Sequence, residues 1–106
     1  MSMKTISPAE AKRLMDEGGV LVDIREPAEH AQASIPGAVL LPLSTLGGVD
    51  LAPYKGGTVL FHCKTGMRTK SNAVGLAAAA ADCEACIVDG GLDAWAAAGL
   101  PVSRGR

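Results

Sequence analysis

The feature that most restricts the fold of this chain is the alternation of short apolar runs with segments that begin and end like helices. Ser7, Pro8 and Glu10 form a typical helix start, with a capping residue, a proline at the first helical position and a glutamate in the capping-box position. The predicted helices are residues 8–17, 28–33, 69–80 and 92–98, with one helical turn at 43–46. The predicted strands are residues 20–24, 39–41, 58–62 and 85–88, and residues 47–57 are predicted as a loop. Strands that alternate with helices pair in parallel, so the pattern predicts an α/β fold.

Length and charge restrict the kind of protein further. The 106 residues fit one domain over residues 1–106. The net charge of −1 indicates no basic surface for nucleic acid. The longest run of small apolar residues, 76–81, is too short for a membrane segment, and the first residues lack the apolar run of a signal peptide. An odd count of three cysteines excludes a full disulfide framework, so we expect a cytoplasmic protein with free thiols.

Cys63 is the strongest chemical signal in the sequence. It stands where the predicted strand 58–62 stops and a helix is about to begin. Binding sites of parallel sheets lie at this end of the strands, and loop amides there can form a cradle for an anion. The positive charges of Lys64 and Arg68 favour a thiolate and attract an anionic substrate, and Gly66 permits a tight loop. The alternative is a structural cysteine in an ordinary loop.

The sequence resembles the single-domain rhodaneses, a family of sulfurtransferases. Four segments carry the resemblance in order along nearly the whole chain. They are Val20-Leu21-Val22-Asp23-Ile24-Arg25-Glu26-Pro27 with Glu29, Ile35-Pro36-Gly37-Ala38, the loop Cys63-Lys64-Thr65-Gly66-Met67-Arg68, and Asp89-Gly90-Gly91-Leu92-Asp93-Ala94-Trp95 with Gly99-Leu100-Pro101-Val102. Lys64 stands where many members of the family have arginine, and Ala33-Ser34 where many have Gly-His.

The resemblance implies a fold and a mechanism. The fold is a five-stranded parallel sheet flanked by helices on both faces. In the mechanism, the Cys63 thiolate takes a sulfane sulfur from a small anionic donor such as thiosulfate and passes it to a thiol, to cyanide or to a thioredoxin-like protein. Lys64, Thr65, Gly66, Met67 and Arg68 would bind the substrate. Asp23 and Arg25 would shape the wall of the site, paired with each other or with loop backbone. No cofactor or metal is implied.

Two other functions share part of this pattern. Cysteine phosphatases also use a thiolate, an amide cradle and an arginine, but five residues separate their cysteine from the arginine. Here only four separate Cys63 from Arg68, which suits a sulfur atom better than a phosphate group. The other alternative is a rhodanese-like sulfur carrier or protein-binding module with little turnover.

The remaining histidines and cysteines are weaker candidates. His62 is expected to be structural, because neighbouring strand residues point to opposite faces of the sheet. His30 is expected to be solvated. Cys83 and Cys86 have Cys-x-x-Cys spacing but enter a strand, which favours a structural role, and too few further ligands are available for zinc. A minor hypothesis makes Cys83 the resolving thiol of Cys63.

Overall fold

A computed structural model describes residues 3–46 and 51–105, and it contains a five-stranded parallel sheet. The strands of this sheet are β1 (Lys4–Ile6), β2 (Val20–Asp23), β4 (Val39–Leu40), β5 (Thr58–His62) and β6 (Glu84–Val88). Their order across the sheet is β1-β6-β5-β2-β4. A separate antiparallel pair joins β3 (Ala33–Ser34) to β7 (Ser103–Arg104). The predicted fold class is therefore confirmed, and no helix of the described residues is long and apolar enough to cross a membrane.

Helices join the parallel strands, as the alternating pattern predicts. They are α1 (Pro8–Asp16), α2 (Pro27–Gln32), α3 (Leu43–Leu46), α4 (Met67–Ser71), α5 (Ala73–Ala79) and α6 (Gly91–Ala97), with a 3-10 turn at Ala52–Tyr54. Ser7 caps α1 by accepting the Glu10 N–H at 3.1 Å. The Glu10 carboxylate itself accepts from Arg13, at 2.6 and 2.8 Å.

The core consists of two apolar layers, one on each face of the sheet. Leu21 and Leu60 belong to the first layer, to which α1 and α6 contribute Ala11, Leu92 and Trp95. Val22 and Phe61 belong to the second, to which α5 contributes Leu76. Neighbouring residues of one strand thus face opposite layers, as the pleat of a strand requires.

Register brings the carboxyl ends of the central strands to one edge of the sheet. In β5, Phe61 lies beside Val22 of β2 and Ile87 of β6. Asp23 lies beside His62 in this register, and Cys63 follows His62 at the same edge. This is the edge where parallel sheets form their sites.

Four local predictions were incomplete. The short edge strand β1 was missed because only Ile6 of its three residues is buried. The pair β3–β7 was also missed, since its partners lie about 70 residues apart in sequence. The helix predicted over residues 69–80 is broken at Asn72, whose side chain donates to the Arg68 carbonyl at 2.7 Å. The loop predicted over residues 47–57 contains the 3-10 turn at Ala52–Tyr54, and residues 47–50 lie outside the described part.

Candidate active site

Cys63 lies directly after β5 and begins the six-residue loop Cys63–Arg68, whose last two residues are the first two of α4. The loop turns sharply at Gly66, whose φ of +92° belongs to the left-handed region. A β-carbon at Gly66 would lie 3.1 Å from the backbone nitrogen of Gly90, a tight contact that adds to the backbone strain of any other residue there. The predicted tight turn at Gly66 is therefore present.

The Cys63 sulfur is buried inside the loop and surrounded by hydrogen-bond donors. Its Sγ accepts the Gly66 N–H at 3.1 Å, and the Thr69 hydroxyl lies 3.9 Å away. Burial alone raises the pKa of the thiol. Four backbone N–H groups outweigh burial and hold the pKa below its usual value; they belong to Thr69, Gly66, Arg68 and Thr65. Backbone dipoles thus favour the thiolate.

The first residues of α6 hold the backbone of the cysteine loop in place. The N–H groups of Leu92 and Asp93 donate to the carbonyls of Cys63 and Lys64 at 2.8 and 2.9 Å. Gly91 makes this approach possible: its φ is +60°, and a β-carbon there would lie 2.4 Å from the Cys63 oxygen. The conformation of the loop therefore depends on the contact with α6.

Both cationic side chains of the loop are already paired. Arg68 makes two hydrogen bonds to the Glu29 carboxylate, at 2.7 and 2.8 Å. Lys64 Nζ lies 3.1 Å from both carboxylate oxygens of Asp93. The hydrogen bond from Arg68 lowers the pKa of Glu29 to about 2 and raises that of Arg68, so this pair stays ionised near neutral pH. Each of the two cations is therefore paired with an acid, which the sequence did not predict.

Thr65 and Met67 complete the loop. The Thr65 hydroxyl oxygen accepts the Met67 N–H at 3.5 Å, which stabilises the turn toward α4. The Met67 side chain is 72% exposed, although it is large and apolar. It therefore lies at the surface of the loop.

Asp23 and Arg25 form a fully buried ion pair at the end of β2. Arg25 donates from Nε and one terminal nitrogen to the Asp23 carboxylate, at 3.0 and 2.8 Å, and also to the backbone carbonyl of Ala33. His30 Nδ1 lies 2.8 Å from the same carboxylate, so the expectation that His30 is solvated was wrong. Although burial raises the pKa of Asp23, Arg25, His62 and His30 lower it to about 2.

His62 is buried beside this pair and touches the backbone of Cys63. Its Nδ1 lies 3.0 Å from the Cys63 carbonyl oxygen, which can only accept, so Nδ1 carries the proton. Its Nε2 lies 3.9 Å from Asp23 and has no hydrogen-bond partner among the described residues. Burial keeps the pKa of His62 below its usual value. The ring thus contacts the peptide of the cysteine rather than its sulfur.

The hypothesis that Cys83 resolves Cys63 is wrong. Glu84, the neighbour of Cys83, pairs with Thr58 at the opposite end of β5 from Cys63. Five strand residues separate the two ends by about 16 Å, whereas a disulfide needs α-carbons within about 7 Å. All three cysteines are free, Cys86 is buried in the first core layer, and Cys83 hydrogen-bonds to the Tyr54 carbonyl at 3.3 Å.

Comparison with known proteins assigns the family. The rhodanese-like domain family matches residues 7–98, and the chain belongs to this family. The expected resemblance to rhodaneses is thereby confirmed.

Individual relatives agree with this assignment. The chain is 35% identical to a sulfurtransferase from Allochromatium vinosum, over 91% of this chain and 90% of that protein. It is 37% identical to an uncharacterized Synechocystis protein over 92% of this chain, but spans only 54% of that protein. The crystal structure of a thiosulfate sulfurtransferase from Pseudomonas aeruginosa superposes with a TM-score of 0.83 at 26% identity, over 97% of this chain and 20% of that one.

Sequence reasoning located the loop but missed what holds it. The roles of Glu29, Thr69 and Asp93 depend on contacts between segments that are far apart in sequence. The adjacent glycines Gly90 and Gly91 were a usable signal, because two glycines before a helix indicate a close backbone approach.

Proposed function

We propose that residues 1–106 act as one rhodanese domain that transfers a sulfane sulfur through a persulfide on Cys63. The observation that carries this proposal is the buried Cys63 sulfur with backbone N–H groups directed at it and its pKa lowered. Such a site stabilises a negatively charged sulfur, whether thiolate or persulfide, without a metal or a base.

The reaction divides into two displacements. In the first, the Cys63 thiolate attacks the outer sulfur of thiosulfate; a sulfur–sulfur bond forms to Cys63 and sulfite leaves with the electron pair of the broken bond. In the second, a thiolate or cyanide attacks the terminal sulfur of the persulfide and the Cys63 thiolate is released. Each step exchanges one sulfur bond for another, so no external oxidant is needed.

The loop amides bind the charge that both steps share. The negative charge moves from the Cys63 sulfur to the terminal persulfide sulfur, about one bond further into the cradle. The N–H groups of Gly66 and Arg68 already donate to the Cys63 sulfur, next to which the terminal sulfur would lie. Lys64, Thr65 and Met67 form the remaining rim that a donor meets.

The acceptor we propose is a small thiol, cyanide or a thioredoxin-like protein. A cavity of about 280 Å³ lies beside the loop and includes Lys64 and Asp93 among its lining residues, which is sufficient for a small thiol. A cytoplasmic location is part of the proposal, and the odd number of cysteines supports it because three cysteines cannot form a full disulfide framework.

Intact-protein mass spectrometry after incubation with thiosulfate tests the proposal. We expect the wild type and Cys83→Ser to gain one sulfur atom, which cyanide removes, and Cys63→Ser to gain none. The Cys83 variant is the matched control because that thiol lies at the other end of the sheet. A gain without turnover would indicate the sulfur carrier instead. No gain from thiosulfate or from an organic persulfide would overturn the proposal.

A further inference from the structure

We propose that Glu29 and Asp93 select the sulfur donor: they oppose a small free dianion and favour a persulfide that carries its own ammonium group beside a carboxylate, as cysteine persulfide does. This inference rests on the proposed function, since it concerns the donor of the same site. It assigns to these two acids a role in specificity that is separate from the chemistry at Cys63.

The first observation is the strength of the Arg68–Glu29 pair. The two side chains join in a fork, with two hydrogen bonds of 2.7 and 2.8 Å. Glu29 is also held in place by the Glu26 N–H at 3.2 Å, within the capping box of α2. An anionic donor that binds Arg68 must therefore compete with the Glu29 carboxylate, which is already well positioned.

The second observation is that Lys64, at the other end of the loop, is paired in the same way. Asp93 contacts Lys64 twice, through its carboxylate at 3.1 Å and through its N–H, which donates to the Lys64 carbonyl at 2.9 Å. The backbone contact keeps Asp93 in place even when the exposed side chains separate. Each loop cation thus has a fixed acid beside it, and the two acids come from different helices, α2 and α6.

The third observation is a cavity of about 280 Å³ that both acids line together with Lys64. Arg25 and Arg104 also face it, and the buried Arg25 is compensated by Asp23, which His30 contacts as well. The cavity therefore presents both signs of charge to a ligand.

These charges treat two classes of donor differently. Thiosulfate carries two negative charges and meets the carboxylates of Glu29 and Asp93 next to the cations that would attract it, so attraction and repulsion largely offset each other. A cysteine-type persulfide can place its carboxylate near Lys64 or Arg68 and its ammonium group near Glu29 or Asp93. Such a donor is therefore attracted both by the cations and by the carboxylates of the site.

The transfer itself is balanced for this donor. The Cys63 thiolate attacks the outer sulfur of the donor persulfide, the donor thiolate leaves with the electron pair, and the sulfur is bound to Cys63. The number of thiolates and persulfides is the same on both sides, so no oxidant or reductant is consumed.

The test compares three donors with four proteins. The donors are thiosulfate, cysteine persulfide and 3-mercaptopropionate persulfide, which has the same skeleton as cysteine persulfide without the ammonium group. The proteins are the wild type, Glu29→Gln, Asp93→Asn and the control Asp16→Asn, which removes an exposed acid of α1 that pairs with Lys12. Glutamine at position 29 keeps an oxygen for the Glu26 N–H, so α2 retains its cap. The rate of persulfide formation on Cys63 is measured against donor concentration.

We expect Glu29→Gln and Asp93→Asn to lower the KM for thiosulfate about fivefold each, the effect of one partly exposed charge interaction. The same variants should raise the KM for cysteine persulfide. The preference for cysteine persulfide over 3-mercaptopropionate persulfide should therefore be smaller than in the wild type. Asp16→Asn should change none of these values.

The inference is overturned if both variants keep the wild-type KM for thiosulfate, or if the wild type uses the two organic persulfides equally well. If Cys63 takes sulfur from no donor, the proposed function itself fails. If Cys63 takes sulfur but shows no such selectivity, only the role of Glu29 and Asp93 is refuted.

Discussion

Lys64 and Asp93 hold each other at both backbone and side chain. The Asp93 N–H donates to the Lys64 carbonyl at 2.9 Å, while Lys64 Nζ lies 3.1 Å from both oxygens of the Asp93 carboxylate. The backbone contact attaches the cysteine loop to α6, and the side-chain contact neutralises the charge of Lys64. The geometry of the loop and its electrostatics are therefore set by the same neighbouring helix.

The close approach of α6 predicts a large effect of Gly91→Ala. The new methyl group would lie 2.4 Å from the Cys63 oxygen and 2.7 Å from the Lys64 oxygen, at a φ of +60° that alanine resists. We expect sulfur transfer to fall by at least ~10²-fold, because small displacements of catalytic groups are costly. The measurement is kcat with thiosulfate and cyanide.

Gly75→Ala is the matched control for that substitution. A β-carbon at Gly75 meets nothing within 4 Å, and the residue lies within α5. We expect this variant to keep full activity and to gain about 0.5–1 kcal/mol in free energy of unfolding. Equal activity of the Gly91 and Gly75 variants would show that the loop does not depend on α6.

The lowered pKa of Cys63 predicts the pH dependence of the first step. Burial raises this pKa, but the loop amides lower it by more, so the thiolate persists below the usual titration range near pH 8.5. Persulfide formation should remain fast as pH falls through that range and decline only when pH passes the lowered pKa. The ultraviolet absorbance of the thiolate, taken as the difference between wild type and Cys63→Ser, gives the midpoint.

The same shift contributes to folding stability. Because the pKa of Cys63 is lower in the folded chain than in the unfolded one, its contribution is complete above the unfolded pKa and is lost as pH falls through the folded pKa. Cys63→Ser should therefore flatten the dependence of unfolding free energy on pH in this window. A thiolate midpoint at or above pH 8.5 would contradict the assigned hydrogen bonds.

Asp23→Asn should strongly destabilise the protein. It would leave Arg25 buried, 3% exposed, without its counter-charge, and losses of about 3–5 kcal/mol are typical of a broken buried pair. The Asp23 pKa is about 2 in the folded protein, so its contribution is present above about pH 4 and disappears as pH falls toward 2. Urea unfolding at neutral and acidic pH should show the two proteins converging in acid.

His62 offers a test with two amides. Asparagine can place its N–H near the position of Nδ1 and keep the hydrogen bond to the Cys63 carbonyl, whereas glutamine reaches toward Nε2. We expect His62→Asn to retain the thiolate midpoint of Cys63 and His62→Gln to shift it. An identical midpoint in both variants would reduce His62 to a packing role.

Much of the fold follows from local patterns. The strands β2 and β5 were predicted within one residue because their apolar runs are bounded by clear breaks. The edge strand β1 and the pair β3–β7 were missed, since their residues are largely polar or exposed and only pairing defines them. At the break, the Asn72 side chain donates to the Arg68 carbonyl, a contact that helix propensity does not report.

The cysteine loop follows from local sequence, because strand end, glycine and helix start are all encoded within residues 58–69. Local sequence also encodes the alternation that makes the sheet parallel and brings Asp23 to the same edge as Cys63. In contrast, the pairing of Lys64 and Arg68 and the distance between Cys83 and Cys63 become visible only in the folded chain. The reason is physical: local conformation depends on neighbours in sequence, whereas charge pairing and distance depend on segments that meet only when the chain has folded.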